Sequence, residues 1–171
     1  MDDTARDLLY ERDGLEIDRT DGHLVLFDLP LAGVAYAVTL HERLAELGGA
    51  LGVPLSCRAA VHVGEVILRE NTLEDVARGA KPVEVEGLAK PATARLLSLA
   101  LPHQTLLGRT AYELARRASV GQPAFDRYVW ASYGEYRFQG LEEAFEVHEV
   151  GMAGRAPLRA PPDSAKARDR A

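Results

Sequence analysis

The stretch that decides the fold is Lys81–Leu107, KPVEVEGLAKPATARLLSLALPHQTLL. It predicts a short polar approach, a glycine turn, a helix that opens at Pro91 and a proline turn into a strand, because proline suits the first turn of a helix and disfavours its continuation. Within the predicted helix Arg95 is the one charged side chain. An arginine on an otherwise apolar helix is costly to bury unless it meets an anion or a carboxylate. We therefore expect Arg95 to have such a partner.

The bulk composition is that of one ordinary soluble domain. The chain has 171 residues, 47% of them hydrophobic and 27% charged, with a net charge of −6. A chain with this net negative charge lacks the extended basic surface that binding to nucleic acid or anionic lipid requires. A single cysteine, Cys57, excludes an internal disulfide and a thiolate metal cluster. The acidic N-terminus is not a secretory signal, and no apolar run reaches membrane-spanning length. We expect a cytoplasmic protein that binds neither nucleic acid nor membrane.

Periodicity and turn residues predict alternating strands and helices between residues 4 and 150. The expected elements, in chain order, are a helix at 4–11, strands at 15–17 and 23–27, a helix at 30–47, strands at 55–63 and 65–68, a helix from 91, a strand at 104–107, a helix at 110–117, and strands at 128–131, 136–138 and 145–150. Gly48 and Gly49 are the expected end of the second helix. This order suits an antiparallel or mixed sheet with helices on one face, an α+β fold that is ferredoxin-like (βαββαβ) in outline.

The composition changes at Met152. The last residues, MAGRAPLRAPPDSAKARDRA, are rich in proline, alanine and charge and contain almost no core-forming side chains. Such a segment cannot bury enough apolar surface to offset its ordering entropy. We therefore place the domain at residues 1–151 and a disordered tail or interdomain linker at residues 152–171.

Four blocks of the sequence together resemble the class III nucleotidyl cyclases, the catalytic domains of adenylate and guanylate cyclases. They are EIDRTDGHLVLF at Glu16–Phe27, CRAAVHVGEV at Cys57–Val66, GLAKPATARLLSLALPHQTLLGRTAYELA at Gly87–Ala115 and YRFQGLEEAFEVHEV at Tyr136–Val150. The blocks stand in the order and approximate spacing of that family and cover nearly all of the chain up to Val150. The resemblance implies the βαββαβ core of the cyclase type.

The reaction that this resemblance implies converts ATP or GTP to a 3′,5′-cyclic monophosphate and pyrophosphate. In the family, two Mg²⁺ or Mn²⁺ ions held by two aspartates activate the 3′-hydroxyl and neutralise the triphosphate. An arginine stabilises charge at the α-phosphate and an asparagine positions the ribose. The family's site lies at a head-to-tail dimer interface, so the resemblance also implies a homodimer or a heterodimer with another cyclase domain.

Four residues take functional roles if the family's positions are carried over. Asp21 matches the second metal-binding aspartate, although an Asp-Gly turn favours aspartate there in any case. Arg95 matches the transition-state arginine; the alternative is an arginine paired with a carboxylate at the rim. Glu84 lies near the position that reads the purine, and is otherwise a solvated strand residue. Arg137 is a candidate substitute for the triphosphate-binding lysine, because Gln139 stands at that lysine's position.

Several departures from the family pattern weaken the expectation of catalysis. Pro91 stands at the position of the ribose-orienting asparagine and offers no side-chain hydrogen bond. Ile17 stands where adenylate cyclases often place a base-recognising lysine. The strand that carries the first metal-binding aspartate in the family would lie before Met1. We therefore expect a cyclase-type domain of intracellular signalling that is inactive or incomplete as this isolated chain. The alternative is a non-catalytic module for dimerisation or nucleotide sensing, joined to an effector domain.

Overall fold

A computed structural model describes residues 2–19, 22–138, 144–162 and 167–169 of the chain. Its elements, in chain order, are α1 (Asp2–Glu11), β1 (Leu15–Asp18), β2 (Leu24–Leu26), α2 (Pro30–Leu51), β3 (Ala59–Val61), β4 (Ile67–Glu70), α3 (Leu73–Ala77), β5 (Val83–Glu86), α4 (Ala89–Leu99), β6 (Thr105–Gly108), α5 (Arg109–Ser119), β7 (Tyr128–Phe138), β8 (Ala144–Met152) and β9 (Ala167–Asp169). Among the described helices, none is long and apolar enough to cross a membrane.

The main sheet has five strands in the order β3-β6-β8-β7-β9. β3 and β6 are parallel, and the remaining neighbours are antiparallel. The β1–β2 hairpin and the antiparallel β4–β5 pair form two smaller sheets. The predicted α+β class with a mixed sheet is therefore confirmed, and so is the hairpin between residues 15 and 27.

The hydrophobic core lies on both faces of the main sheet. Leu106 and Leu107 are consecutive residues of β6, so their side chains point to opposite faces, and both are 0% exposed. On the Leu106 side, α4 packs through Leu96 and Leu99. On the Leu107 side, α2 and α5 supply the second core cluster. The expectation of helices on one face is thus wrong for α4, because its apolar stripe and the buried side chains of β7 meet on the other side of the sheet.

Two boundaries differ from the sequence prediction for a packing reason. α2 runs through Gly48 and Gly49 and ends at Leu51, where Gly52 adopts a positive φ of 68°. Gly48 is needed for close approach rather than termination, because a Cβ there would lie 2.6 Å from the carbonyl oxygen of Val53. The strand predicted at 55–63 narrows to β3, because only residues 59–61 find partners on β6. The strand predicted at 65–68 appears as β4 and pairs with β5.

The chain that follows β8 packs against the domain in its described part. Leu158 N–H donates to Glu149 Oε1 at 2.9 Å, and Tyr136 O–H donates to the carbonyl of Pro161 at 2.9 Å. Farther on, β9 pairs with the edge of β7. The described part of this segment is thus hydrogen-bonded to the sheet. The domain boundary at residue 151 and the disordered tail or linker expected at 152–171 stay predictions.

Candidate functional site

A cavity of about 370 Å³ opens between β1, the turn before β5 and the first residues of α4. Its lining consists of Ile17, Gly79, Ala80, Lys81, Glu84, Val85, Glu86 and Lys90. Ile17 and Val85 are both 8% exposed and form the apolar part of the wall. Two ammonium groups and two carboxylates surround it. The cavity therefore combines a small apolar surface with charges of both signs, which suits a ligand that has a flat apolar part and an anionic part.

Short-range contacts explain how this cavity forms. Thr72 caps α3 by accepting a hydrogen bond from Asp75 N–H at 3.1 Å, and Asn71 Nδ2 donates to the carbonyl of Lys81 at 2.8 Å. Gly87 then turns the chain from β5 into α4 with a φ of 124°. A Cβ at that position would lie 2.8 Å from the carbonyl of Glu65, so glycine is required there.

An ion pair closes one side of the cavity. Lys81 Nζ pairs with a carboxylate oxygen of Asp18 at the end of β1. The lysine side chain is 43% exposed, so the pair adds at most about 1 kcal/mol to stability. Its main effect is positional, because it joins the turn before β5 to the β1–β2 hairpin.

The hairpin is itself held by a polar network against α2. Glu16 pairs with Arg19 at 3.2 Å and with His23 at 3.1 Å. The other ring nitrogen of His23 is hydrogen-bonded to the hydroxyl of Tyr36 at 2.9 Å. Burial raises the pKa of Tyr36 to about 12, so this hydroxyl keeps its proton at neutral pH. The network fixes the strand that carries Ile17 into the cavity wall.

The structure describes three of the four residues that the sequence singled out and does not bring them to one cavity. Glu84 lines the cavity. Arg95 is half-buried on α4 and is not without an interaction partner, but it is not among the lining residues. Arg137 is exposed on β7, on the face opposite to Tyr136 and Phe138, which pack in the cluster with α4. Asp21 lies outside the described residues.

Sequence reasoning missed the two lysines of this cavity. Lys81 and Lys90 line it together with Glu84. The sequence did contain a signal for a basic site here, because Lys81 and Lys90 are two of its three lysines and flank the VEVEGLA segment. Their convergence depends on how β4 and β5 pair and fold back toward β1, which the linear pattern does not reveal.

The described residues do not form a metal site by themselves. Across residues 2–19, 22–138, 144–162 and 167–169, no group of three or more histidine, cysteine, aspartate or glutamate side chains is arranged to hold a metal ion. Asp18 is engaged by Lys81. The donors in the described part of the chain therefore do not fit the two-carboxylate clamp that a two-metal reaction needs.

Solved structures with the same fold are cyclases. A Trypanosoma brucei adenylate cyclase, solved in its monomeric state, matches with a TM-score of 0.72 at 16% identity over 96% of this chain and 82% of that one. A guanylyl cyclase matches with a TM-score of 0.68 at 22% identity over 94% and 81%. The guanylate cyclase domain of RhGC from Catenaria anguillulae, in complex with GTP, matches with a TM-score of 0.66 at 11% identity over 87% and 78%. No protein-family model and no curated protein matches the sequence.

The chain is therefore an α+β domain with a mixed five-stranded sheet that is covered by helices on both faces. More narrowly, it has the fold of adenylate and guanylate cyclase catalytic domains, over most of its length.

Proposed function

We propose that this protein is a nucleotide-binding cyclase-type domain that holds ATP or GTP in the cavity around Glu84. The observation that carries the proposal is the cavity itself. It brings Glu84 of β5 and two lysines to the lining of one cavity, near the start of the helix that carries Arg95, within a cyclase fold. Related folds have been solved with GTP and with an ATP analogue bound.

The lining suggests how a nucleoside triphosphate would be recognised. The Glu84 carboxylate accepts hydrogen bonds, so it suits the exocyclic amine that either purine can present. Ile17 and Val85 offer an apolar surface for the ring. Lys90 is a point charge that attracts phosphate, and Lys81 adds a second ammonium group that is shared with Asp18. Because Glu84 accepts from either base, the proposal includes both ATP and GTP.

Arg95 and Arg137 lie outside this cavity, so we assign them to a composite site. In this proposal Arg95 contacts the α-phosphate and Arg137 contacts the triphosphate of a nucleotide bound across a dimer interface. Asp21 would supply one carboxylate to Mg²⁺ or Mn²⁺. The described residues do not complete a metal clamp, so no chemical step is assigned to a metal in this chain. We expect the isolated chain to bind nucleotide without cyclising it.

An exposed apolar surface gives the dimer a place to form. The β4–β5 arm, residues 67–88, exposes four large apolar side chains: Ile67 (66%), Leu68 (49%), Leu73 (89%) and Leu88 (82%). Several large apolar side chains exposed on one segment of a domain favour an interaction surface. The arm adjoins the cavity through β5, so a second cyclase-type domain on the arm would sit beside the bound nucleotide. We propose this module for cytoplasmic signalling, as one part of a multidomain protein with a fused effector domain.

The proposal is tested by equilibrium binding of fluorescent ATP and GTP analogues, with Mg²⁺ and with Mn²⁺. Glu84→Ala should weaken binding of the preferred analogue about tenfold, because a hydrogen bond to a charged group contributes about 1.5–3 kcal/mol. Glu70→Ala, an exposed glutamate on the paired strand β4, is the matched control and should leave binding unchanged. A wild-type chain that binds neither nucleotide would overturn the proposal.

A further inference from the structure

A second cavity, which shares no residue with the first, lies between α2, the turn before β6 and the C-terminal segment, residues 153–162. It has a volume of about 270 Å³. The residues that matter for its chemistry are the apolar Val38 and Met152 and the polar Glu42, His103 and Arg155. Pockets for drug-sized ligands span about 300–1,000 Å³, so this one suits a smaller molecule.

The inner wall of this cavity is a neutral aromatic ring. His41 Nδ1 lies 3.3 Å from Cys57 Sγ, and His41 Nε2 lies 3.0 Å from Thr105 Oγ1. Both ring nitrogens are therefore hydrogen-bonded within the protein. Burial, and then the proximity of His103, lower the pKa of His41 to about 4. At neutral pH the ring is therefore an uncharged surface. Polar recognition of a ligand depends on the three other polar residues that line the cavity, Glu42, His103 and Arg155.

The polar atoms of these three groups are not paired within the described residues, although the His103 ring lies 6.3 Å from the His41 ring, centroid to centroid. Within the described residues, the side chains of Glu42, His103 and Arg155 make no hydrogen bond and no ion pair. His103 has a positive φ of 65°, which is uncommon for a residue other than glycine. Its N–H donates to the carbonyl of Cys57 at 2.9 Å, and this contact holds the residue at the cavity. Conformational outliers of this kind cluster at binding sites.

We propose that this second cavity binds a small zwitterion, an α-amino acid with an apolar side chain. The carboxylate of the ligand pairs with the guanidinium of Arg155, whose planar fork matches a carboxylate, and accepts a hydrogen bond from His103. The ammonium group of the ligand pairs with Glu42. The apolar side chain packs on Val38 and Met152, in contact with the neutral ring of His41.

The opposite charges at the mouth select a zwitterion over a simple ion. An inorganic anion can pair with Arg155 and is repelled by the Glu42 carboxylate that lines the same cavity, whereas a lone cation can pair with Glu42 and is repelled by Arg155. Like charges at short range are unfavourable in a partly desolvated site. A molecule that carries both charges, a few bonds apart, satisfies both side chains.

Isothermal titration calorimetry of the full chain against the twenty L-amino acids tests this proposal. At least one apolar amino acid should bind. Two analogues of the amino acid that binds best are then tested, one without the amine and one without the carboxylate. For leucine these are 4-methylpentanoate and 3-methylbutylamine. Each analogue should bind about tenfold more weakly, since each loses a charge-assisted hydrogen bond. The proposal is overturned if no amino acid binds with a Kd below about 10 mM, or if either analogue binds as tightly as its parent.

Two variants locate the binding. Arg155→Ala and Glu42→Gln should each weaken the best amino acid about tenfold. Arg159→Ala, an exposed arginine four residues along the same segment, should bind like the wild type. Wild-type affinity in Arg155→Ala would refute the assignment. The analogue series tests the same point on unaltered protein, so the proposal remains falsifiable even if a variant fails to fold.

Discussion

Two regions of the molecule depart from the usual distribution of side chains, and they do so in opposite directions. Beneath the C-terminal segment the protein buries polar groups: Gln104, Thr105 and Glu149 are 0% exposed. On the β4–β5 arm it exposes apolar groups, with Leu73 and Leu88 more than four-fifths accessible. Buried polar and exposed apolar groups are both uncommon and informative. The comparison separates a region whose partners are internal from a region that we propose binds a second molecule.

The buried region is stabilised by the carboxyl group of Glu149. It accepts hydrogen bonds from Gln104 Nε2 at 2.5 Å and from the Tyr133 hydroxyl at 2.6 Å, and Leu158 N–H donates to its other oxygen at 2.9 Å. Burial, and then the bond to Glu149, raise the pKa of Tyr133, so its hydroxyl remains a donor. These donors come from three different parts of the chain. Removing their common acceptor therefore affects the sheet and the C-terminal segment together.

The largest effect is expected for Glu149→Ala. It removes the shared acceptor of the buried Gln104 amide, which keeps only its bond to the carbonyl of Arg159, and of the half-buried Tyr133 hydroxyl. Each donor left without an acceptor costs about 1–3 kcal/mol. We expect the free energy of unfolding to fall by about 3 kcal/mol or more, as measured by urea denaturation followed by circular dichroism. Glu146→Ala, which loses a partly exposed pair with Arg109, should cost less than about 1 kcal/mol. Equal losses in the two variants would contradict the role given to burial.

An effect of comparable size is expected from acid, through His41. Its pKa is lowered from 6.5 to about 4, chiefly by burial, so the folded state favours the neutral ring. The stability that this provides is complete above pH 6.5 and is lost as the pH falls toward 4, because the unfolded chain takes up the proton first. The loss is on the order of 3 kcal/mol. The pKa values of His62 and His148 are lowered too, mainly by burial, and add in the same direction.

His41→Gln isolates this contribution. Glutamine keeps a polar group near Thr105 and Cys57 but does not titrate. The free energy of unfolding of this variant, measured between pH 7 and pH 4, should depend less steeply on pH than that of the wild type. A variant with the wild-type slope would show that other groups dominate the acid response.

The smallest effect on stability is expected on the arm. Leu88→Glu changes a side chain that is 82% exposed, so the free energy of unfolding should move by less than about 0.5 kcal/mol. The oligomeric state is the informative measurement. In sedimentation velocity we expect wild-type chain to self-associate with rising concentration and Leu88→Glu to remain monomeric. Val120→Glu, at an equally exposed apolar residue outside the arm, is the control. Association retained in Leu88→Glu would argue against the arm as the interface.

Local patterns in the sequence were enough to predict the fold class and the hairpin. The alternation of residues 15–27 around an Asp-Gly turn and the glycine before the Pro91 helix are local signals, and the structure confirms both elements. The face on which α4 packs could not be read in this way. It depends on the side of the sheet to which Leu106 points, a property of the strand's place in the sheet.

The candidate site was predictable only in part. Glu84 was predicted because it lies near the purine-reading position of the cyclase family. Lys81 was not predicted, because it is held at the cavity by its pairing with Asp18, some sixty residues away. Arg155 and Glu149 were missed for a related reason. Their roles depend on the C-terminal segment folding back over the sheet, and the proline- and alanine-rich composition of that segment indicates the opposite.

The pairing of β9 with residues 136–138 of β7 has a consequence for how this domain is kept soluble. A sheet edge presents a row of unpaired N–H and C=O groups that can template the addition of another chain. β9 covers that row beside the buried side chains of Tyr136 and Phe138. A chain cut after Gly151, where composition suggests the domain ends, would uncover an aromatic-rich edge. We therefore expect the segment with the fewest core-forming residues to protect the sheet against aggregation.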